Sequence, residues 1–300
     1  MRISGSDIHL FRVFDSVIRN NGISSAQVEL SLSQPTISNH LSALEDRIGL
    51  KLCERGRRGF ALTEKGRIVH EAICEILNCL DKNSNRLNEL RSPLSGRVRI
   101  AIVDCLSTDK NFHLPAILAK AAREAPTLEI SLEILPPNEI IVRLSNNQLD
   151  MGLGGFDLHL NGLKHTMLYN EEHRLYCGAE SPLYAMEDHD ITTGMCYQLP
   201  WVHRKYWSHM RQRSFLFNET DRLIDDIESQ LLFIMSGAYI GLLPVHYAQS
   251  FVSKELLRPL PVRNDDYQAK IEMVVRAGKK QRNISYVEQL VFQTYAKHLL

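Results

Sequence analysis

Net charge is what this sequence lacks first: 35 Lys and Arg stand against 35 Asp and Glu over 300 residues. The molecule as a whole therefore has no electrostatic pull on nucleic acid or on an anionic membrane, and any basic surface has to be local. Long apolar runs are missing too. No stretch approaches the roughly 18 uncharged apolar residues of a membrane span. The opening Met1-Arg2-Ile3-Ser4-Gly5-Ser6-Asp7 carries no apolar signal core, so a cytoplasmic protein with no membrane partner is expected. The six cysteines (Cys53, Cys74, Cys79, Cys105, Cys177, Cys196) form no C-x-x-C pair and no zinc-finger set with histidine, which points to reduced structural thiols. No basic residue flanks Cys105, Cys177 or Cys196 to favour a thiol switch. Catalytic signatures are absent as well: there is no G-x-S-x-G, no H-E-x-x-H, and Gly278-Lys279-Lys280 lacks the upstream glycine of a phosphate loop. His203 and His209 have no cysteine or carboxylate at ligand spacing. The expectation is no enzyme, no metal and no cofactor beyond a small-molecule ligand.

What is present, 44% hydrophobic and 23% charged residues, suffices for two globular domains. Charge is unevenly placed. Residues 1–95 hold 13 Lys and Arg against 11 Asp and Glu, the remainder 22 against 24, and between 47 and 67 seven cationic residues face only Glu54 and Glu64. Around that basic run the pattern is helical. Asp7 is placed to cap a helix with Ile8, Phe11, Phe14 and Ile18 on one stripe, which Asn21-Gly22 ends. Ser24-Ser25-Ala26-Gln27 has capping-box form for a short second helix. Ser33 caps a third, Pro35 sits in its first turn, and Ile37, Leu41, Leu44 and Ile48 share a face before Gly49. The opposite face then presents Gln34, Thr36, Ser38, Asn39 and His40, polar groups suited to base edges and phosphates. Glu54-Arg55-Gly56-Arg57-Arg58-Gly59-Phe60 reads as a hairpin with arginines at its tip. This succession predicts a winged helix-turn-helix on double-stranded DNA, over residues 1–62.

Ser33-Gln34-Pro35-Thr36-Ile37-Ser38-Asn39-His40-Leu41, then Leu44-Glu45, Gly49, Leu52, Glu54-Arg55 and Leu62-Thr63-Glu64-Lys65-Gly66 resemble the N-terminal signature of LysR-type transcriptional regulators. Four positions depart from the family's commoner residues: Gln27 and Cys53 stand for a small alanine and a phenylalanine, Asn39 and His40 for arginine and glutamine. No operator is therefore transferable base by base. The resemblance implies a linker helix that pairs two subunits, tetramers of two dimers on inverted-repeat promoter operators, contact with RNA polymerase, and an effector domain similar to periplasmic solute-binding proteins.

The residues beyond the wing agree. Thr63 to Arg91 lacks proline and would make a helix of about 28 residues and about 42 Å. Val69, Ile73, Ile76, Leu80, Leu87 and Leu90 repeat at steps of four and three, with Asn83 in the seam, which favours a linker helix over 63–92 whose stripe faces a second copy rather than an amphipathic helix lying on its own chain. From 93 to 300 strands and helices alternate: 97–103, 112–124, 128–134, 138–147 and 149–153. These predict a two-lobed α/β domain, lobe I about 96–162 and 267–300, lobe II about 167–262, with a hinge near 161–168 and 262–268. A strand at 215–217 and a helix from Asp221 to Met235 belong to the second lobe. Ligands of such sheets bind beyond the strands' carboxyl ends, which places Val103, Asp104, Ser107, Thr108, Trp201, Val202, His203 and Thr220 near the cleft. Ser107 and Thr108 at the start of a helix would favour an anion. With Trp201, His203, Arg204, Tyr206 and Trp207 opposite, a small carboxylic acid bearing a ring or an apolar tail is expected; alternatively, the tryptophans fill the lobe's core and Arg204 faces solvent. A ligand-responsive regulator accounts for the whole chain. A free solute-binding protein, or an enzyme with an accessory DNA-binding module, accounts for part of it.

Overall fold

The computed structural model describes residues 3–56, 59–89, 94–206, 219–262, 267–278 and 280–296. It divides into residues 1–88 and 89–300. In the first unit, α1 (Gly5–Arg19) is capped by Ser4. Asp7 is three residues inside the helix, and its Oδ2 accepts from both Ser4 N and Ser4 Oγ at 2.7 Å. It thus closes the capping box from within. Arg47, forty residues on, donates to the same carboxylate at 2.8 and 3.1 Å, and these bonds hold Asp7 well below the usual carboxylate range. Helix α2 (Ile23–Leu30) starts one residue before the expected cap Ser24. Asn21 and Gly22 turn the chain at positive φ, and the Gly22 carbonyl accepts the first helical bond from Ala26, so Gly22 is the cap and Ser24 is left exposed. Helix α3 (Gln34–Ile48) begins and ends as the sequence predicts, with Ser33 Oγ accepting from Thr36 N and Gly49 at φ 75°. Ile37, Leu41 and Leu44 pack on Phe11, Phe14 and Val17.

Strands β1 (Cys53–Gly56) and β2 (Gly59–Leu62) pair antiparallel, Cys53 opposite Leu62. Arg57 and Arg58, the expected hairpin tip, lie outside the described residues. Helix α4 (Glu64–Glu89) follows. Its stripe does not face outward throughout: Ile73 is buried and Val69, Ile76 and Leu77 pack on the core of this same unit, while Leu80 and Leu87 are 38% and 66% exposed. The spacing of four and three defines an apolar face without saying what covers it, and the first turns of α4 lie across α1, with the His70 ring edge-on to Phe14 at 5.9 Å.

The second unit is built on a seven-stranded sheet. Strand β3 (Gly96–Ile102) runs parallel to β4 (Leu128–Ile134) and β5 (Met151–Gly154), with α5 (Leu114–Glu124) and α6 (Pro137–Ser145) as crossovers. Buried Asp150 fastens this set by accepting from Arg99 N at 2.8 Å and from the Arg99 and Arg276 guanidiniums at 3.1 and 3.3 Å. A Cβ on Gly152 would meet Ile140 at 2.5 Å, so the Leu149-Asp150-Met151-Gly152 landmark is a packing requirement.

Strand β6 (Leu163–Gly178) then runs sixteen residues without a break. The second lobe adds α7 (Thr193–Gln198), a two-stranded parallel pair β7 (Val202–Arg204) and β8 (Arg222–Ile224), α8 (Ile227–Met235), β9 (Ile240–Pro244), α9 (Val245–Val252) and β10 (Leu257–Pro259). Residues 221–224 are not helical as expected. Asp221 accepts from Trp201 N at 2.8 Å, 222–224 pair with β7, and α8 starts only at its cap Asp226. The expected strand at 215–217 lies outside the described residues. The chain returns through β11 (Tyr267–Arg276) and α10 (Arg282–Ala296). Strand β11 pairs with β6 from Leu163 to His173, whereas β9 pairs with β6 from His173 to Cys177. The lobes therefore change over near His173, later than the expected 161–168, because one continuous strand serves both.

Candidate functional site

The signature residues of the first unit divide into those that hold the frame and those on its outer face. Glu45 is buried and accepts from Leu52 N at 2.9 Å, Cys53 N at 3.1 Å and Lys51 Nζ at 2.9 Å, which pins the base of the wing to α3. Thr63 donates to Lys51 O at 2.8 Å and accepts from Gly66 N at 2.9 Å. A Cβ on Gly66 would lie 2.0 Å from Leu52 O, so only glycine lets α4 approach the wing this closely. None of these three roles was apparent from the sequence, since each partner backbone lies across a turn. Gln34, Pro35 and Asn39 are exposed on α3, Ser33 is its exposed cap, and Thr36, Ser38 and His40 are half-buried. His40 meets His9 edge-on at 4.9 Å. Arg55 lies on β1.

In the second unit a cavity with about 480 Å³ of empty space, part of it open solvent, is walled by the turn that follows β3 (Val103, Asp104, Cys105), by Glu171 and His173 of β6, by Arg204 of β7 and Tyr206 just beyond it, and by Ala269 and Ile271 of β11. Pro137, Gly155 and Asp157 complete it. Its polar wall is a connected set of bonds. Glu171 Oε2 lies 2.7 Å from His173 Nε2 and Oε1 lies 2.9 Å from His246 Nε2. Arg204 Nη2 is 3.3 Å from His173 Nδ1, and Arg204 Nη1 donates to Tyr206 Oη at 3.1 Å. Burial alone would raise Glu171, but the two imidazoles more than offset it and bring the carboxyl down to about 2. Burial, with Arg204 adding to it, pushes His173 down to about 4, so the ring is neutral near pH 7. Asp104, raised by burial, accepts from Ile227 N at 2.7 Å and so ties the end of β3 to the start of α8.

Of the cleft residues expected from sequence, Val103 and Asp104 line this cavity and the others do not. Leu106–Thr108 is a single 3-10 turn, with α5 starting only at Leu114, so no helix terminus stands behind Ser107 and Thr108. Ser107 is exposed, and Thr108 Oγ1 lies 2.8 Å from His246 Nδ1. Trp201 fills the core of the second lobe and donates through Nε1 to Cys196 O at 3.1 Å. Val202 is fully buried, and its carbonyl accepts from Gln230 Nε2. His203 is buried with Nε2 3.6 Å from Asp221 Oδ2, and Thr220 is exposed. Strand alternation explains part of the split: Trp201 and His203 stack on one face while Arg204 lies on the other, and Val202, on the same face as Arg204, is instead covered by Ile227, Leu231 and Ile234 of α8. Arg204, expected to face solvent if the tryptophans were core, is 5% exposed and in the cavity wall. Trp207 and His209 lie outside the described residues. Glu171, His173 and His246 were missed, since they converge from β6 and from α9 some 75 residues later.

Comparison with known proteins is consistent throughout. Residues 8–67 match the bacterial regulatory helix-turn-helix protein, lysR family, and residues 91–290 match the LysR substrate binding domain. The HTH-type transcriptional activator BauR of Pseudomonas aeruginosa is 31% identical over 281 residues, 93% of this chain and 92% of its own length. The HTH-type transcriptional regulator XapR of Escherichia coli (strain K12) is 24% identical over 271 residues, 87% and 90% of the two lengths. Among solved structures, full-length CbnR complexed with its target DNA has a TM-score of 0.65 at 16% identity, covering 96% of this chain and 99% of that one, a likeness of fold. With one match spanning well over half of the chain and the other covering its helix-turn-helix, the chain belongs to the LysR family, DNA-binding transcriptional regulators with an effector-binding domain rather than enzymes.

Proposed function

We propose that this regulator responds to a small monocarboxylic acid held in the cavity between its lobes, and that the bound acid alters how the helix-turn-helix engages or bends promoter DNA. Arg204 carries the reading. It is the one permanently charged cation among the lining residues, and the planar guanidinium is the side chain best matched to a carboxylate. The neighbouring anions are already engaged: Asp104 with the α8 backbone, Glu171 with two histidines. With Asp157 they disfavour a second negative charge on the ligand. Val103, Pro137, Ala269 and Ile271 offer an apolar wall for the tail, in the place where tryptophan was expected.

On the DNA side, Gln34, Thr36 and Asn39 would read base edges, while Ser33, Pro35, Ser38 and His40 fit the recognition helix against the duplex. Arg55, Arg57 and Arg58 would contact phosphates. By analogy with the family, we extend the proposal to self-association into dimers and then tetramers, and to contact with RNA polymerase. Calorimetry of the full-length protein against small acids tests the ligand class. A monocarboxylate should bind, and Arg204→Gln should weaken it roughly 10- to 150-fold, the equivalent of about 1.5 to 3 kcal/mol for a charged hydrogen bond. Arg204→Lys should retain part of the affinity. Preference for an uncharged, cationic or dianionic ligand, or unchanged affinity in folded Arg204→Gln, refutes the reading.

A further inference from the structure

The first unit brings three donor atoms of different chemistry to one point. His70 and Cys74 are four residues apart on α4 and therefore on one face, one turn apart, and Asp15 of α1 lies against both. His70 Nε2 is 2.9 Å from Asp15 Oδ1 and 3.3 Å from Cys74 Sγ, and Cys74 Sγ is 3.6 Å from Asp15 Oδ1. Both contacts of the imidazole end on the same nitrogen. A Cys–His–Asp relay would use the two ring nitrogens separately; these atoms instead form a closed triangle. A tetrahedral zinc ion at about 2.05 Å from nitrogen, about 2.3 Å from sulfur and about 2.0 Å from oxygen requires edges of about 3.3 Å (N to O), about 3.6 Å (N to S) and about 3.5 Å (S to O). Each side of the triangle is within roughly 0.4 Å of its requirement. The second oxygen of Asp15 accepts from Arg19 Nε at 2.9 Å, a bond of the kind that orients a ligating carboxylate. All three side chains are half-buried, which leaves a route in for an ion and for a water as fourth ligand.

We propose that Asp15, His70 and Cys74 bind a divalent transition metal, zinc by its donor set, and that the ion fastens the linker helix to the first helix of the DNA-binding unit. Binding forms a metal–sulfur bond and releases the Cys74 thiol proton to solvent, with no change of oxidation state, so affinity rises with pH. The sequence shows the His70–Cys74 spacing but not Asp15, 55 residues earlier. Two other clusters of potential ligands, Cys105 with Glu171 and His246, and His159 with His165 and Glu272, serve as controls.

The test uses the full-length protein stripped with a chelator and titrated with Co²⁺. A thiolate-to-cobalt absorption band should appear at one equivalent and be abolished by Zn²⁺. Cys74→Ser should lose the band and weaken zinc by at least the roughly 10- to 100-fold that loss of an outer-shell partner costs. Cys105→Ser should keep it. Asp15→Asn, which preserves the shape of the side chain, should lower zinc affinity to a similar degree with helix content unchanged. Absence of the band in the unaltered protein, its persistence in Cys74→Ser, or its loss only in Cys105→Ser overturns the proposal.

Discussion

His173 shows what a single residue contributes and why its role was hidden. Nothing in the alternation of β6 distinguishes it from any inward-facing position, and its environment exists only once Glu171 of the same strand is joined by Arg204 and His246 from other elements. With that environment known, the pH response can be derived. The folded ring titrates near 4 and the unfolded one near 6.5, so between those values the unfolded chain binds more protons and stability rises with pH. Glu171, at about 2 folded against 4.5 unfolded, acts with the same sign in a lower window. The effector domain should therefore lose stability as pH falls below about 6.5. Urea unfolding of His173→Gln should show a flatter profile between pH 6.5 and 4, the Glu171 window remaining below it; an equally steep profile in the variant would sink this account. By contrast, the cap Ser33 and the terminator Gly49 were legible, because a helix end is specified by its own few residues.

At the level of elements, α4 separates what periodicity encodes from what it leaves open. The sequence specified a long helix with an apolar stripe. It could not specify that Val69, Ile73 and Ile76 are covered by the unit's own core while Leu80 and Leu87 are exposed. The two groups should respond differently to mutation. Ile73→Ala should cost about 2 to 5 kcal/mol of stability, as for other buried isoleucines, with no specific effect on association. Leu80→Ala with Leu87→Ala should leave stability of the unit nearly unchanged and weaken self-association. Denaturation and sedimentation equilibrium measure the two effects, and an unchanged dimer constant in the double variant would place the interface elsewhere. The change of partner near His173 falls inside one continuous strand, so no turn or helical stretch in the sequence marks it.

For the molecule as a whole, fold class was legible because the hydrophobic period switches between helical and alternating several times after residue 96. The division itself falls at residues 88 and 89, so the linker helix groups with the first unit, on whose core Val69, Ile73 and Ile76 pack. Balanced total charge, 35 against 35, means that attraction to DNA depends on the local excess around the wing. Replacing Arg57 and Arg58 with alanine should weaken binding to all sequences alike and flatten the slope of log affinity against log salt by roughly one unit per lost phosphate contact. Replacing Gln34 or Asn39 should instead change preference among operators. Fluorescence anisotropy across a salt series separates the two, and equal losses on specific and random DNA for both sets would refute the division.

Strand order also carries a consequence for synthesis. Strand β11 lies between β6 and β5 in the middle of the sheet, yet it is the last strand translated. A ribosome that has completed the helix-turn-helix and the second lobe still holds a first lobe without its central strand, and Ala269 and Ile271, which close the cavity, are not yet present. The nascent chain therefore reaches a DNA-binding fold well before it has anywhere to put a ligand, and a product truncated near residue 262 would be a regulator that cannot be instructed.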